Sequence, residues 1–359
     1  MTEDSTVVLD VQNLRVGFRR RRRAAMFWAL DGVSLTVRRG RTMGLVGESG
    51  SGKSTLAKAV LGLTPVQAGR IELLGQDITA LKPKQRRRLG KSLQAVFQDP
   101  NSSLNPSYTI GRSLAEPMRA QAVSTRQQVS DRVTQLLDEV GLDASAANRY
   151  PRQFSGGQRQ RVSIARALMT SPEVVIADEA VSALDLSVQA QILNLLSDLQ
   201  DEHQVSYLFI SHDMSVVRHV CHDVTVLYRG QVMEVGPTSL VTRHPAHPYT
   251  RALLLAAPVA NPALQRVRHA AADAAAVVAR PGVPATGAGC PFASRCPFAV
   301  AVCSEQRPEL RPLPDGRSVA CHRYPEWLDE AHETVLTSTN TDPAPKQQPV
   351  GSRPPATTS

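Results

Sequence analysis

The sequence predicts an α/β fold: a buried sheet flanked by helices, with a phosphate-binding loop at its edge. Three observations predict it. The apolar runs Met43 to Val46, Val174 to Ala177 and Tyr207 to Ile210 read as strands covered on both faces. Amphipathic helical stretches lie between them, Val188 to Leu199 and a segment of 106–150 in which Val133, Leu136, Leu137 and Val140 fall on one face. The first apolar run leads directly into Gly47-Glu48-Ser49-Gly50-Ser51-Gly52-Lys53-Ser54-Thr55, which opens a helical-looking segment ending at Leu63.

That loop has the form G-x-x-x-x-G-K-[ST]. Its glycines let the backbone curl so that successive N–H groups point at an anionic guest. The helix behind it adds unpaired donors and the positive end of its dipole. Lys53 can reach terminal phosphates, and Ser54 offers a hydroxyl to a magnesium ion. A plain glycine-rich turn needs neither residue, so the stretch reads as a nucleotide site.

The remaining elements follow in order. Residues 7–18 and 30–39 alternate apolar and polar and read as antiparallel strands around an arginine-rich insert, Arg19 to Arg23. Strands are expected at Gly69 to Leu74 and Leu93 to Phe97, and Gly141 is a helix stop. Val224 to Tyr228 and Gln231 to Val235 flank Arg229-Gly230, a two-residue hairpin. The Ala/Pro-rich segment 258–288 reads as a linker, and the Thr/Pro/Ser/Gln-rich residues from 328 to 359 as a disordered tail. No internal repeat is evident, so one nucleotide module is expected.

Composition narrows the class. The 359 residues, 42% hydrophobic and 20% charged, suffice for about two domains with a sizeable core. No run approaches the roughly 18 uninterrupted apolar residues of a membrane helix, and the N-terminus lacks signal-peptide character, so a cytoplasmic location is expected. The net charge of +9 is partly local, in Arg19 to Arg23 and Arg86-Arg87-Arg88. With aromatics at only 4%, those clusters read as solvated or lipid-facing loops rather than a single-strand nucleic-acid surface.

Two further constellations carry chemistry. Val174 to Ala177 ends in Asp178-Glu179: Asp178 can hold the magnesium shell and Glu179 can polarise a water for in-line attack on a γ-phosphate. Ser155-Gly156-Gly157-Gln158, after Phe154 and before an Arg-rich helix, again offers bare N–H groups at a helix start. With Arg161, Ser163, Ala165, Arg166, Ala167 and Leu168, this segment closely resembles the signature of ATP-binding-cassette (ABC) ATPases, with Phe154 where Leu is commoner.

The resemblance implies a P-loop NTPase of the ABC type over residues 7–257, a RecA-like core with an antiparallel β-subdomain and a helical subdomain at about 100–170. Within it Gln98 matches the Gln-loop residue that contacts magnesium and attacking water, Ser182-Ala183-Leu184-Asp185 the D-loop, and His212 the switch histidine that senses the γ-phosphate. Phe18 is the expected adenine-stacking aromatic, with Phe27 and Trp28 as competitors. Ala180-Val181 departs from the family's usual Pro-Thr or Pro-Val, but neither position supplies chemistry. Phe97 to Pro106, His247-Pro248-Tyr249-Thr250-Arg251-Ala252-Leu253-Leu254 and the cysteine-bearing C-terminus at 289–327 resemble the peptide/nickel importer branch, in wording closest to the F-type ATP-binding subunit of dipeptide permeases. The resemblance thus implies ATP and Mg²⁺, a second and related ATP-binding subunit, two membrane permeases, an indirect solute-binding protein, and a place on the cytoplasmic face of the membrane. A P-loop kinase would need neither Ser155 to Gln158 nor His212. Cargo stays open among dipeptide, longer peptide, nickel and another solute, and a soluble nucleic-acid-linked ABC ATPase is the rival class, although no nucleic-acid partner is expected.

Cys221 stands alone and reads as a small buried apolar residue. Cys290, Cys296, Cys303 and Cys321 cluster at separations of five, six and seventeen residues. These are not the short pairs of common zinc or ferredoxin sites, and disulfides do not suit a reducing cytosol. The pattern resembles the C-terminal motif of peptide-permease ATPases, some of which carry a [4Fe–4S] cluster. Four thiolates also suit zinc, and an unmetallated cluster is the third reading.

Overall fold

The computed structural model describes residues 6–19, 26–98, 103–121, 125–257 and 288–331. In chain order these form β1 (Val7–Phe18), β2 (Phe27–Arg38), β3 (Thr42–Val46), α1 (Lys53–Val60), β4 (Ala68–Leu73), β5 (Gln76–Asp77), α2 (Pro83–Leu89) and β6 (Leu93–Val96). There follow α3 (Ile110–Gln121), α4 (Arg126–Glu139), α5 (Gly156–Leu168), β7 (Val174–Asp178), α6 (Leu186–His203), β8 (Ser206–Ser211) and α7 (Met214–Val220). The C-terminal third adds β9 (Asp223–Tyr228), β10 (Gln231–Pro237), α8 (Thr238–Arg243), α9 (Pro248–Ala256), α10 (Ala301–Glu305), β11 (Arg311–Pro312), β12 (Ser318–Val319) and α11 (Glu326–Ala331).

The apolar runs are the centre of an eight-stranded sheet of order β11-β12-β10-β9-β3-β8-β7-β6. Its middle strands β9, β3, β8, β7 and β6 run parallel. Because side chains alternate along a strand, each run feeds two cores. Val175, Ala177, Tyr207 and Phe209 join α3, α4, α5 and α6 on one face. Val174, Ile176, Leu208 and Ile210 face α1 and the four-stranded antiparallel sheet β2-β1-β4-β5 on the other. Each fully buried aliphatic side chain contributes about 1.5–3 kcal/mol, so uninterrupted apolar runs are required where both faces are covered.

Parallel direction has a functional consequence. The chain leaves β3, β6, β7 and β8 at the same sheet edge, so the segments after Val46, Val96, Asp178 and Ser211 are brought together there.

The Arg229-Gly230 hairpin joins β9 to β10 as expected, with both residues at positive φ. The C-terminal segment differs from a simple extension, because β12 pairs with β10 and continues the central sheet. Helix α11 runs past residue 328 to Ala331, into the stretch read as tail, behind the fully buried Trp327. Residues 258–287, nearly the whole expected linker, and 332–359 lie outside the described residues, as do Arg20 to Arg23. Arg86 is not the solvated charge its cluster implied: its guanidinium donates to the carbonyls of Val60 and Ile78, and burial lowers its pKa.

Candidate nucleotide and cysteine sites

The loop between β3 and α1 is built as its glycines require. Gly50 and Gly52 sit at φ 78° and 112°, a region open to glycine at little cost. A Cβ at Gly47 would lie 2.1 Å from the Leu227 carbonyl oxygen. The loop is also anchored from outside: Gly230 N–H donates to the Ser51 carbonyl at 2.8 Å, and Glu48 N–H donates to the Tyr249 hydroxyl at 2.9 Å. Lys53 is buried and its Nζ donates to the carbonyls of Gly47 and Glu48 at 2.7 and 2.9 Å. Burial lowers its pKa, and the fields of Glu179, Asp178 and Glu48 oppose that shift. The cation thus sits under the loop among three acids. Thr55 follows Ser54 in the first turn of α1.

Facing it are the two carboxylates that end β7. Ser54 Oγ lies 3.5 Å from Asp178 Oδ1, so hydroxyl and carboxylate converge on one point. Burial, then the charge of Glu179, raises the Asp178 pKa. A hard divalent cation with oxygen ligands answers both observations. Glu179 has φ 50°, sparsely populated for a residue with a Cβ. Its N–H is held by the Ile210 carbonyl at 3.0 Å. The turn places Glu179 Oε1 3.4 Å from His212 Nδ1, joining the ends of β7 and β8. Gln98 is exposed just beyond β6 at the same sheet edge, and residues 99–102 lie outside those described.

Two other expected segments are placed elsewhere. Ser155 caps α5, its Oγ accepting from Gln158 N–H at 3.3 Å while Gln158 Oε1 accepts from Ser155 N–H at 3.0 Å. Gly156 opens that helix, and Gly157 lies so close to α6 that a Cβ there would meet Val188 Cγ1 at 2.5 Å. Among the described residues no hydrogen bond or ion pair joins Ser155–Gln158 to Gly47–Thr55. Asp185 caps α6 through Val188 N–H. Phe18 and Phe27 are paired across β1 and β2 and exposed at 45% and 64%, while Trp28 is covered by the Arg15 guanidinium at 4.3 Å.

The family model "ABC transporter" matches residues 30–182, and "Oligopeptide/dipeptide transporter, C-terminal region" matches 233–303. A putative peptide import ATP-binding protein of Brucella abortus (strain 2308) is 49% identical over 302 residues, covering 82% of this chain and 86% of that one. The chain belongs to the ABC-transporter ATP-binding family, in its oligopeptide/dipeptide branch. This ABC ATPase is also 44% identical over 300 residues to the di/tripeptide transport ATP-binding protein of Pseudomonas aeruginosa (strain UCBPP-PA14), across 84% of this chain and 91% of that protein. Among solved structures, a dimeric ATP-binding cassette bound to ADP and Pi matches with TM-score 0.58 and 27% identity, covering 64% of this chain and 98% of that one. The cbiO1 protein of Clostridium perfringens, part of the ABC transporter complex cbiONQ, matches with TM-score 0.59 and 27% identity over 66% and 91% of the two chains. The fold is therefore that of an ABC nucleotide-binding domain. Among the described residues no helix is long and apolar enough to cross a membrane.

The ABC ATPase carries a second constellation. Cys290, Cys296, Cys303 and Cys321 line one cavity, closed by His247, Phe292 and Phe298. Burial pushes the Cys290 and Cys321 thiols up to about 11 and Cys296 up to about 12. Cys290 N–H donates to the Cys303 carbonyl at 2.7 Å, closing the loop that presents the set. His247 is held neutral, burial taking its pKa down to about 3, with Nδ1 accepting from Tyr249 N–H. Cys221 is apart from them, buried against Gly44 beneath β3.

Sequence reading missed three residues on the nucleotide face. Tyr249 had a signal, its place in the His247-Pro248-Tyr249-Thr250 segment. Arg295 and Arg307, whose guanidiniums reach Glu48 and Asp31, had only their nearness to the cysteines.

Proposed function

We propose that this chain is the energising subunit of a peptide importer, bound to the cytoplasmic face of the membrane through two permease subunits and paired with a second ATP-binding subunit. The observation that carries the reading is the single sheet edge where Lys53, the Ser54–Asp178 pair and the Glu179–His212 pair meet. The di/tripeptide and oligopeptide cargo named for the relatives supports a cargo of the peptide class for this chain.

In the proposed reaction the loop N–H groups of Gly47 to Thr55 and Lys53 hold the phosphates of ATP, and Phe18 or Phe27 stacks on adenine. Ser54 Oγ and Asp178, with Gln98, would hold magnesium, which neutralises charge on the β- and γ-phosphates. Glu179 accepts a proton from the attacking water as its oxygen bonds the γ-phosphorus and the bond to the β-phosphate oxygen breaks, releasing ADP. His212, 3.4 Å from Glu179, orients that carboxylate. The signature Ser155, Gly156, Gly157 and Gln158 presents its helix N-terminus to ATP held by the partner subunit. Glu179→Gln is expected to lower turnover by about 100-fold or more while ATP binding persists. Turnover at the native rate in that variant ends the assignment.

For the cysteines we propose a [4Fe–4S] cluster. The donor set fits: four thiols face one cavity, and buried thiolates need a compensating cation. A lone zinc with bonds of about 2.3 Å would bring the sulfurs to roughly 3.8 Å of one another. Among the described residues the group of three or more candidate ligands with atoms all within 4.8 Å of one another is Glu139, Glu202 and His203, without a cysteine. Among the described residues the cysteines do not form so close a set, which favours a cluster over zinc. Anaerobically purified protein should contain about four irons per chain and show broad visible absorbance. Zinc, or no metal at all, would refute this part alone.

A further inference from the structure

The cysteine unit reaches the nucleotide face through two arginines. Arg295, the residue before Cys296, makes a two-pronged pair with Glu48, NH1 to Oε2 at 2.8 Å and NH2 to Oε1 at 2.9 Å. Its guanidinium is flanked by the rings of Tyr228 and Phe292 at 5.8 and 5.6 Å, and Tyr228 hydroxyl accepts from it at 3.4 Å. Hydrogen bonding to Glu48 is the main cause that holds this guanidinium's pKa above its ordinary value. Arg307, four residues after Cys303, donates to the Asp31 carboxylate at 2.8 Å and to the Asp31 carbonyl at 2.6 Å. Asp31 N–H in turn donates to the Gly230 carbonyl, and Gly230 N–H to Ser51. Both contacts therefore end on the phosphate loop, directly at Glu48 or through the β9–β10 hairpin.

We propose that the C-terminal cysteine unit positions the phosphate loop for ATP, with Arg295 as the positioning residue that acts through Glu48. Two physical effects point the same way. A bidentate guanidinium–carboxylate pair fixes orientation as well as distance, and Glu48 is the second residue of the loop. The arginine also cancels a carboxylate next to the place where a triphosphate must sit; uncancelled, that charge repels the ligand. Tyr249, which accepts Glu48 N–H at 2.9 Å, fixes the same residue from the backbone side. Phe292 touches both systems: its ring lies 5.3 Å from Tyr249 and it lines the cysteine cavity.

The pair is about half exposed, which limits its worth to that of a well-oriented surface ion pair. In the full chain, Arg295→Ala is expected to raise the ATP Kd and KM by about two- to fivefold with kcat nearly unchanged. In a Glu48→Ala chain Arg295 has nothing to act through, so adding Arg295→Ala there should cause no further loss. Arg295→Lys, a single-point cation, should recover only part. Tyr249→Phe, which strands a loop N–H, is expected to weaken ATP by about tenfold. Nucleotide binding by titration calorimetry and steady-state kinetics give the readouts. An unchanged KM in Arg295→Ala overturns the proposal. So does a loss confined to kcat, or one that is as large in the Glu48→Ala chain as in the native one.

Discussion

A methyl group added at Gly157 would sit 2.5 Å from Val188 Cγ1, inside contact distance. The second signature glycine therefore serves packing first: it lets α5 lie against α6 and so aims the N-terminus of α5. Gly156 has room, its nearest neighbour being Leu184 Cδ2 at 3.8 Å. Gly157→Ala is expected to cost about 1–3 kcal/mol by overpacking, read as a lower urea midpoint. Val188→Ala in the same chain should return most of it, because it removes the methyl that clashes. Equal loss in the single and double variants would show that the strain lies in the backbone instead. Glu179 illustrates the other residue-scale device, a strained φ of 50° that turns its carboxylate toward His212 rather than along the strand.

At the scale of elements, Glu234 of β10 joins three parts of the chain. Its carboxylate accepts the N–H groups of Ala246 and His247 at 2.8 and 3.0 Å and pairs with Arg317 NH1 at 3.3 Å. Burial raises its pKa, and the hydrogen bonds and Arg317 oppose that. Through Ala246 and His247 it sets where α9 begins, and hence where Tyr249 meets the phosphate loop. Glu234→Ala leaves two buried backbone donors unpaired and takes one of the two carboxylates from the buried Arg317, so a loss of about 3–5 kcal/mol is expected by chemical denaturation. A much smaller loss would mean that the Arg317–Asp315 pair, at 2.7 Å, suffices for that arginine. This element also marks where sequence reading stopped. β3, β7 and β8 were legible because strands covered on both faces must be apolar throughout, and the phosphate loop because its glycines, Lys53 and Ser54 are local in sequence. β11 and β12 are two residues each and carry no period, so their addition to the central sheet had no signal. Arg86 looked like surface charge and Arg295 carried no signal of its own, since their partners, Val60, Ile78 and Glu48, are distant in sequence and appear only when the chain is folded.

On the scale of the whole molecule, the phosphate loop with its acids and the segment proposed to meet a partner's ATP occupy separate places. Lys53, Ser54, Asp178, Glu179 and His212 share one sheet edge, whereas Ser155 to Gln158 start α5 in the helical layer, packed on α6. The residue after the α6 cap, Leu186, is 84% exposed and open to contact with another subunit. Each site is thus expected to be completed by a partner, and association should depend on ATP. Glu179→Gln, which retains ATP, should accumulate as a pair with its partner subunit, or with itself, on size-exclusion chromatography with Mg-ATP and not with ADP. Ser155→Arg in the same chain places a bulky cation at the start of α5, where the partner's phosphates must approach. It should abolish the paired species at one site while leaving ATP binding to its own phosphate loop intact, because among the described residues α5 and that loop share no hydrogen bond. Pairing that survives this change would place the contact elsewhere. Loss of ATP binding by the isolated variant would mean that the signature serves its own loop, and the half-site arrangement would fall.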